Sequence, residues 1–415
     1  MTHDTVVIGA GLAGLTAALR LADEGRRVLV IARGVGSTHL APPTIDVLGF
    51  ADDRVESPLH ALPQFAAAHP GHPYGRLSPE VIAAAVEWFK ARLPTLGYRG
   101  GLEENFLLPT AVGAVKPSAV VPETMAGGDL RSAGRFVFVG FRLKDFHPAY
   151  LAENLAHGGH VARGIDLAPP RGQEADGGML GLARRFVQPA FRDAVLSALK
   201  GRLALDERVG FPAVLGIQKA GEVWRDLEKR LLRTVFEVPT LPPSVPGIRL
   251  FEAMTTALRR AGGRILIGPV VVGAETKGRR VDGIAAQASA RPTTHRARAF
   301  VLASGGIAGG GIRVDSHGKV REGVFDLALA GVPAANGRPR FLPGYFEEQP
   351  LDRVGVPVDE RLRPTDPDGR PRFENLHAAG AMLAGAVPWR EASGNGLSLA
   401  TGYAAAEAIL QGENA

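Results

Sequence analysis

Glycines 9, 11 and 14 carry the clearest chemistry in this chain. Their G-x-G-x-x-G spacing stands between Thr5-Val6-Val7-Ile8, a β-branched run, and an Ala/Leu-rich stretch from Leu15 to Ala22. Strand, turn and helix in that order form the setting in which the motif takes the phosphate of a nucleotide. Across Gly9, Ala10, Gly11, Leu12, Ala13 and Gly14 the first glycine permits the turn, the second lets a phosphate meet bare backbone, and the third lets helix and strand close up. The helix start then offers N–H groups and the positive end of its dipole to the anion.

The second strand, Arg27 to Ile31, should end in a carboxylate if an adenosine ribose is to be clamped. It ends instead in Ala32-Arg33-Gly34, where Arg33 can meet a phosphate as a fork of donors. A phosphate loop without a ribose clamp favours FMN, with FAD as the alternative. Two later strands also finish in small residues: Ala299 to Leu302 runs into Ala303-Ser304-Gly305-Gly306, and Glu374 to Ala379 into Gly380. Ser393-Gly394-Asn395-Gly396 opens a last helix at Leu397. Backbone exposed at these points fits a flavin whose carbonyl edge faces a helix N-terminus.

Further along the chain, Gly34 to Gly49 reads as a loop in which His39 or Thr44 can hydrogen-bond the flavin ring, against the plainer reading of turn chemistry. Ser78-Pro79-Glu80 starts a helix that continues to Leu93. Arg135 to Gly140 reads as a buried strand, and Arg184 to Leu199 as a helix interrupted near Pro189. Pro169 to Gly181 reads as a Gly/Pro-rich loop. Asp145, His147 and His157 lack tight ligand spacing, so no metal is assigned. In the proline-rich run from Val238, Pro246-Gly247 turns the chain into a helix over Ile248 to Arg260, and Arg249 in its first turn is a candidate for an anionic substrate. Short strands between Arg264 and Leu302 form a meander that rejoins the parent sheet.

These readings give an α/β chain: a Rossmann-like flavin-binding domain with a mixed sheet, split between residues 1–65 and 240–415, and an inserted α+β cap over 66–239. A hydrophobic content of 45% with 22% charge describes a globular protein, and zero cysteines exclude disulfides, thiolate metal sites and iron–sulfur ligation on this chain. The net charge of +6 is dispersed among carboxylates, so nucleic acid is not an expected partner. Met1-Thr2-His3-Asp4 lacks a basic leader, which places the chain in the cytoplasm.

The Val6 to Leu15 glycine segment, the proline-rich Pro239 to Leu250, Val301 to Gly306 and Glu374 to Gly385 together resemble the B subunits of the anaerobic glycerol-3-phosphate dehydrogenases. The resemblance spans nearly the whole chain and is loosest between Leu102 and Arg233. It implies an FMN subunit that works with an FAD-bearing subunit and an iron–sulfur, membrane-anchoring subunit. The complex it implies lies on the inner face of the membrane, oxidises glycerol 3-phosphate to dihydroxyacetone phosphate and passes electrons to a quinone. No His/Arg proton-transfer set stands out, so catalytic residues are unassigned. A stand-alone flavin oxidoreductase, and an electron-transfer or assembly subunit without its own substrate site, are the competing readings.

Overall fold

The computed structural model describes residues 3–132, 134–168, 178–288, 291–333, 340–344 and 346–413, so most of the loop expected from Pro169 lies outside the described residues. The chain divides into two compact units. The first takes residues 1–37, 59–92 and 254–415, the second 38–58 and 93–253.

In the first unit, strand β1 (His3–Ile8) passes through the glycine turn into helix α1 (Leu12–Asp23), followed by β2 (Val28–Ala32) and helix α2 (Pro79–Arg92). Strands β3 (Arg264–Ile267), β4 (Val270–Lys277), β5 (Arg280–Gln287), β6 (Pro292–Leu302) and β7 (Leu376–Ala378) and helix α3 (Gly394–Glu413) complete it. The parallel part of the sheet runs β3, β2, β1, β6, β7, with Val7 opposite both Val30 and Val301. β1 from Asp4 onward and all of β2 are buried, as expected of parallel strands covered on both faces. β6 belongs to two arrangements. Its first half, Pro292 to Arg296, pairs antiparallel with β5 in the expected meander, and its second half, from Ala297, lies parallel to β1.

The domain boundaries differ from those drawn from sequence. Residues 59–92 belong to the first unit because α2 buries Ile82, Ala85, Val86 and Phe89 there. Its Trp88 packs on Tyr403 of α3 at 5.6 Å and donates to Asp23 of α1. Residues 38–58 belong to the second unit, where Ile45 and Val120 exchange backbone hydrogen bonds and the Asn105 amide donates to the carbonyls of Leu48 and Val55.

The second unit carries its own four-stranded parallel sheet, in the order Val235–Val238, Glu207–Pro212, Arg135–Gly140, Ala162–Asp166. Its core is aromatic, with Phe136, Phe138, Phe141, Phe186, Phe211 and Phe236 in contact. The interruption at Pro189 is present, between helices Met179–Phe186 and Pro189–Leu199.

Candidate functional site: a glycine-lined phosphate cradle

The three N-terminal glycines have three different surroundings. Gly9 adopts φ +114°, and a Cβ on it would lie 2.2 Å from the carbonyl oxygen of Ala303. A Cβ on Gly14 would lie 2.1 Å from the oxygen of Gly9. Both positions are closed by backbone, so only glycine fits. Gly11 is the opposite case: a Cβ there would meet nothing within 4 Å. Gly11 is the N-cap of α1, no side chain caps this helix, and no acidic residue stands in its first turn. The result is an open, uncapped helix start between two tightly closed contacts, an arrangement that suits an anion.

The strand ends expected to converge do so. Ala303 touches Gly9, and the Ala303 amide donates to the Ile8 carbonyl at 2.8 Å. A Cβ on Gly380 would come within 2.8 Å of the Ala13 side chain, and its amide donates to the Thr401 hydroxyl of α3 at 2.9 Å. Gly402 approaches the Ala13 carbonyl as closely, which seats α3 on α1. Gly306 packs on the Ala381 carbonyl. Gly394, Asn395, Gly396 and Leu397 form the first turn of α3, which starts three residues earlier than expected. Ser304 Oγ is buried with no hydrogen-bond partner, an orphan at the end of β6 that a bound polar group would satisfy. Ala32 is buried at the end of β2, and Arg33 and Gly34 are exposed. An alanine thus occupies the ribose-clamp position. The residues present fit a flavin phosphate held by backbone.

His39 and Thr44 belong to the second unit. The His39 ring packs edge-on against Phe251 at 4.9 Å, burial lowers its pKa against a smaller opposing effect of Glu252, and its Nε2 is buried without a partner. Thr44 is fully buried and accepts a hydrogen bond from Lys116 at 2.9 Å. The same ammonium bonds Asp46 and Ser118.

Arg249 is placed differently from the expectation. Ser244 accepts the Gly247 amide at 3.0 Å and starts the helix at Val245, so Arg249 stands beyond its first turn. Its guanidinium is buried in a bidentate pair with Glu237 (2.6 and 2.8 Å), and its Nε donates to the Gly216 carbonyl at 2.7 Å. Thr124 and the Leu215 amide satisfy the same carboxylate. Arg249 also borders a shallow pocket with Tyr98, Pro122, Glu123 and Pro246, but each of its nitrogens already has a partner inside the unit.

One buried polar group escaped the sequence reading. His72 Nδ1 accepts the Tyr74 amide, so its Nε2 carries the ring proton and faces Glu391 Oε2 at 3.2 Å. Glu391 also accepts from Ser393 Oγ (2.7 Å) and the Val387 amide (2.7 Å). Burial alone would raise the Glu391 carboxyl, but His72, Val387 and Ser393 outweigh it and hold it below its ordinary range. Ser393 directly precedes α3, so this group fixes where the helix begins. A 319-residue separation hides the pair from any local pattern, and only the S-G-N-G start hinted at it.

A family model described as FAD binding domain matches residues 4–397, which makes the chain a flavoprotein. Full-length relatives sharpen this. The chain is 34% identical over 98% of both chains to the B subunit of a probable anaerobic glycerol-3-phosphate dehydrogenase of Halobacterium salinarum. It is 31% identical over the whole of both chains to the B subunit of the anaerobic glycerol-3-phosphate dehydrogenase of Pectobacterium carotovorum. Among solved structures, 3-ketosteroid Δ1-dehydrogenase from Sterolibacterium denitrificans aligns over 99% of this chain and 100% of its own, at 13% identity and a TM-score of 0.48. The chain belongs to the FAD binding domain family of flavoproteins and, within it, to the family of anaerobic glycerol-3-phosphate dehydrogenase B subunits. Among the described residues no helix is long and apolar enough to cross a membrane.

Proposed function

We propose that the chain is the flavin-bearing B subunit of a complex that oxidises sn-glycerol 3-phosphate to dihydroxyacetone phosphate and delivers the electrons to a quinone. The observation that carries this is the open helix start at Gly11, framed by Gly9, Ala303 and Gly380, in a chain similar over its full length to such subunits. When bound, the flavin supplies the two-electron redox chemistry. The chain's own part is to hold the phosphate at the α1 start, to leave Ser304 for a polar edge, and to set the α3 N-terminus through Ser393, Glu391 and His72. The partners are an FAD-bearing subunit and an iron–sulfur subunit that anchors the complex at the inner membrane face.

For the flavin itself the reading is FMN, supported by Ala32 where a ribose carboxylate would stand and by Arg33 beside it. FAD is the second reading, favoured by the family's description. Acid release of the flavin followed by mass spectrometry decides between them: FMN with neutral or weakened binding in Ala32→Glu supports the first, and FAD with tighter binding in Ala32→Glu refutes it. Anaerobic addition of sn-glycerol 3-phosphate to the assembled complex should bleach the flavin of this chain. A flavin that stays oxidised while the complex turns over would refute its place in the electron path.

A further inference from the structure

The four strands of the second unit are parallel, so the loops that lead into them meet at one rim, the amino end of the sheet. Ligands of open parallel sheets bind at the opposite end. An ordinary polar surface is therefore expected at the amino rim, yet three aliphatic side chains stand out from it. Leu232 is 79% exposed before Val235–Val238, Leu205 87% before Glu207–Pro212, and Val161 59% before Ala162–Asp166. In the sheet order these loops span three strand spacings, roughly 15 Å.

The loops are held in place. Arg233 donates to the Ala204 and Leu232 carbonyls, both at 2.8 Å, so Leu205 and Leu232 leave one guanidinium clamp. Arg163 donates to the Arg202 carbonyl at 2.6 Å. Leu232 sits in the left-handed region at φ +56°, where glycine or asparagine is the usual residue. Across residues 134–135, 158–161, 200–206 and 229–234 the one carboxylate is Asp206, against Arg135, Lys200, Arg202, Lys229, Arg230 and Arg233. Arg230 is paired with Asp193 and Asp226, but Lys200, Arg202 and Lys229 have no carboxylate partner among the described residues.

A single exposed leucine is normal on a protein surface, whereas a row of aliphatic tips flanked by unpaired cations is the pattern of an interfacial anchor. Three side chains fall far short of the ~800 Å² per partner that a stable protein interface buries. They suffice to dip into the acyl boundary while the cations meet lipid phosphates. We propose that this rim docks the chain directly on an anionic lipid surface. The inference does not depend on the flavin or on the dehydrogenase reading.

Co-sedimentation of the full chain with vesicles tests it, comparing phosphatidylcholine alone with phosphatidylcholine containing phosphatidylglycerol. Retention is expected only on the anionic vesicles, falling as salt is raised. At roughly fivefold per cation, Lys200→Glu with Arg202→Glu should weaken retention at least about 25-fold. Leu205→Asp with Leu232→Asp should weaken it too, with unchanged circular dichroism and flavin content. No retention on anionic vesicles, or retention that the variants leave untouched, would overturn the proposal. So would a dimer that the leucine variant splits while vesicle binding is unaltered, since the rim would then join two copies of the chain.

Discussion

Replacing Gly11 and Gly9 in turn by alanine separates the role of space from the role of packing. Gly11 has φ −73° and ψ 178°, which alanine adopts freely, and its added methyl would meet nothing within 4 Å. Gly11→Ala should therefore leave the flavin-free protein as stable as before, or more stable by about 0.4–1 kcal/mol through a less flexible unfolded chain. In the proposed flavin site the methyl stands where the phosphate would approach the α1 amides, and losing one charge-assisted hydrogen bond costs about 1.5–3 kcal/mol. Flavin affinity should then fall by roughly 10- to 150-fold. Gly11→Glu adds a negative charge and should abolish binding. Gly9→Ala places its Cβ 2.2 Å from the Ala303 oxygen at φ +114°. The backbone conformation alone costs about 1–3 kcal/mol, and pushing β1 from β6 adds to it. Urea unfolding of the flavin-free variants and flavin titration by fluorescence quenching read both quantities. Wild-type flavin affinity in Gly11→Ala would refute the phosphate assignment, and wild-type stability in Gly9→Ala would refute the packing argument.

His377 on β7 is buried, its Nδ1 lies 2.8 Å from the Arg361 carbonyl, and burial pulls its pKa from 6.5 down to about 4. The unfolded chain then binds the extra proton first, so stability is full above pH 6.5 and falls as pH drops towards 4, by about 3 kcal/mol. His377→Gln should flatten urea midpoints over that range, and an unchanged slope would count against it. Arg249→Ala strands the buried Glu237 carboxylate and should destabilise the second unit by about 3–5 kcal/mol in urea. A fully stable variant with a raised KM for glycerol 3-phosphate would instead restore Arg249 as a substrate residue. His72→Ala leaves Glu391 short of a buried partner and should cost about 1–3 kcal/mol and lower flavin content, with Gln restoring part of both. Flavin content equal to wild type would detach this group from the α3 start.

The glycine turn and the strand ends around it were legible because their signals are local: glycine spacing, β-branched runs and small residues at strand ends need only a few neighbours to be read. The antiparallel run of β4, β5 and the first half of β6 and the break at Pro189 were legible for the same reason, but β3, read as part of that meander, instead lies parallel to β2. Boundaries set by distant packing were not. Helix α2 alternates apolar residues like any surface helix, and nothing in Pro79 to Arg92 says that Trp88 finds Tyr403. Arg249 shows the limit of reading charge from position, since its partner Glu237 lies inside a strand sequence that otherwise reads as apolar. The turn read at Pro246-Gly247 drew the helix start three residues too late, because Ser244 accepts the Gly247 amide and the helix begins at Val245.

β1 has consequences for the order in which the molecule can be made. One neighbour, β2, is synthesised at once, but the other, the Ala297 to Leu302 half of β6, emerges nearly 300 residues later. At ordinary ribosomal speeds that interval is roughly 15–60 s. During it a strand pair that is almost wholly buried in the finished fold has an unpaired edge, and the glycine turn lacks the Ala303 wall that shapes it. The parallel sheet of the second unit, by contrast, is drawn entirely from residues 135–238, so all its strands are out before β3 is made. Synthesis thus delivers a foldable middle first and a flavin-competent protein only at the end. A truncation before β6 should yield the second unit without any capacity to retain flavin.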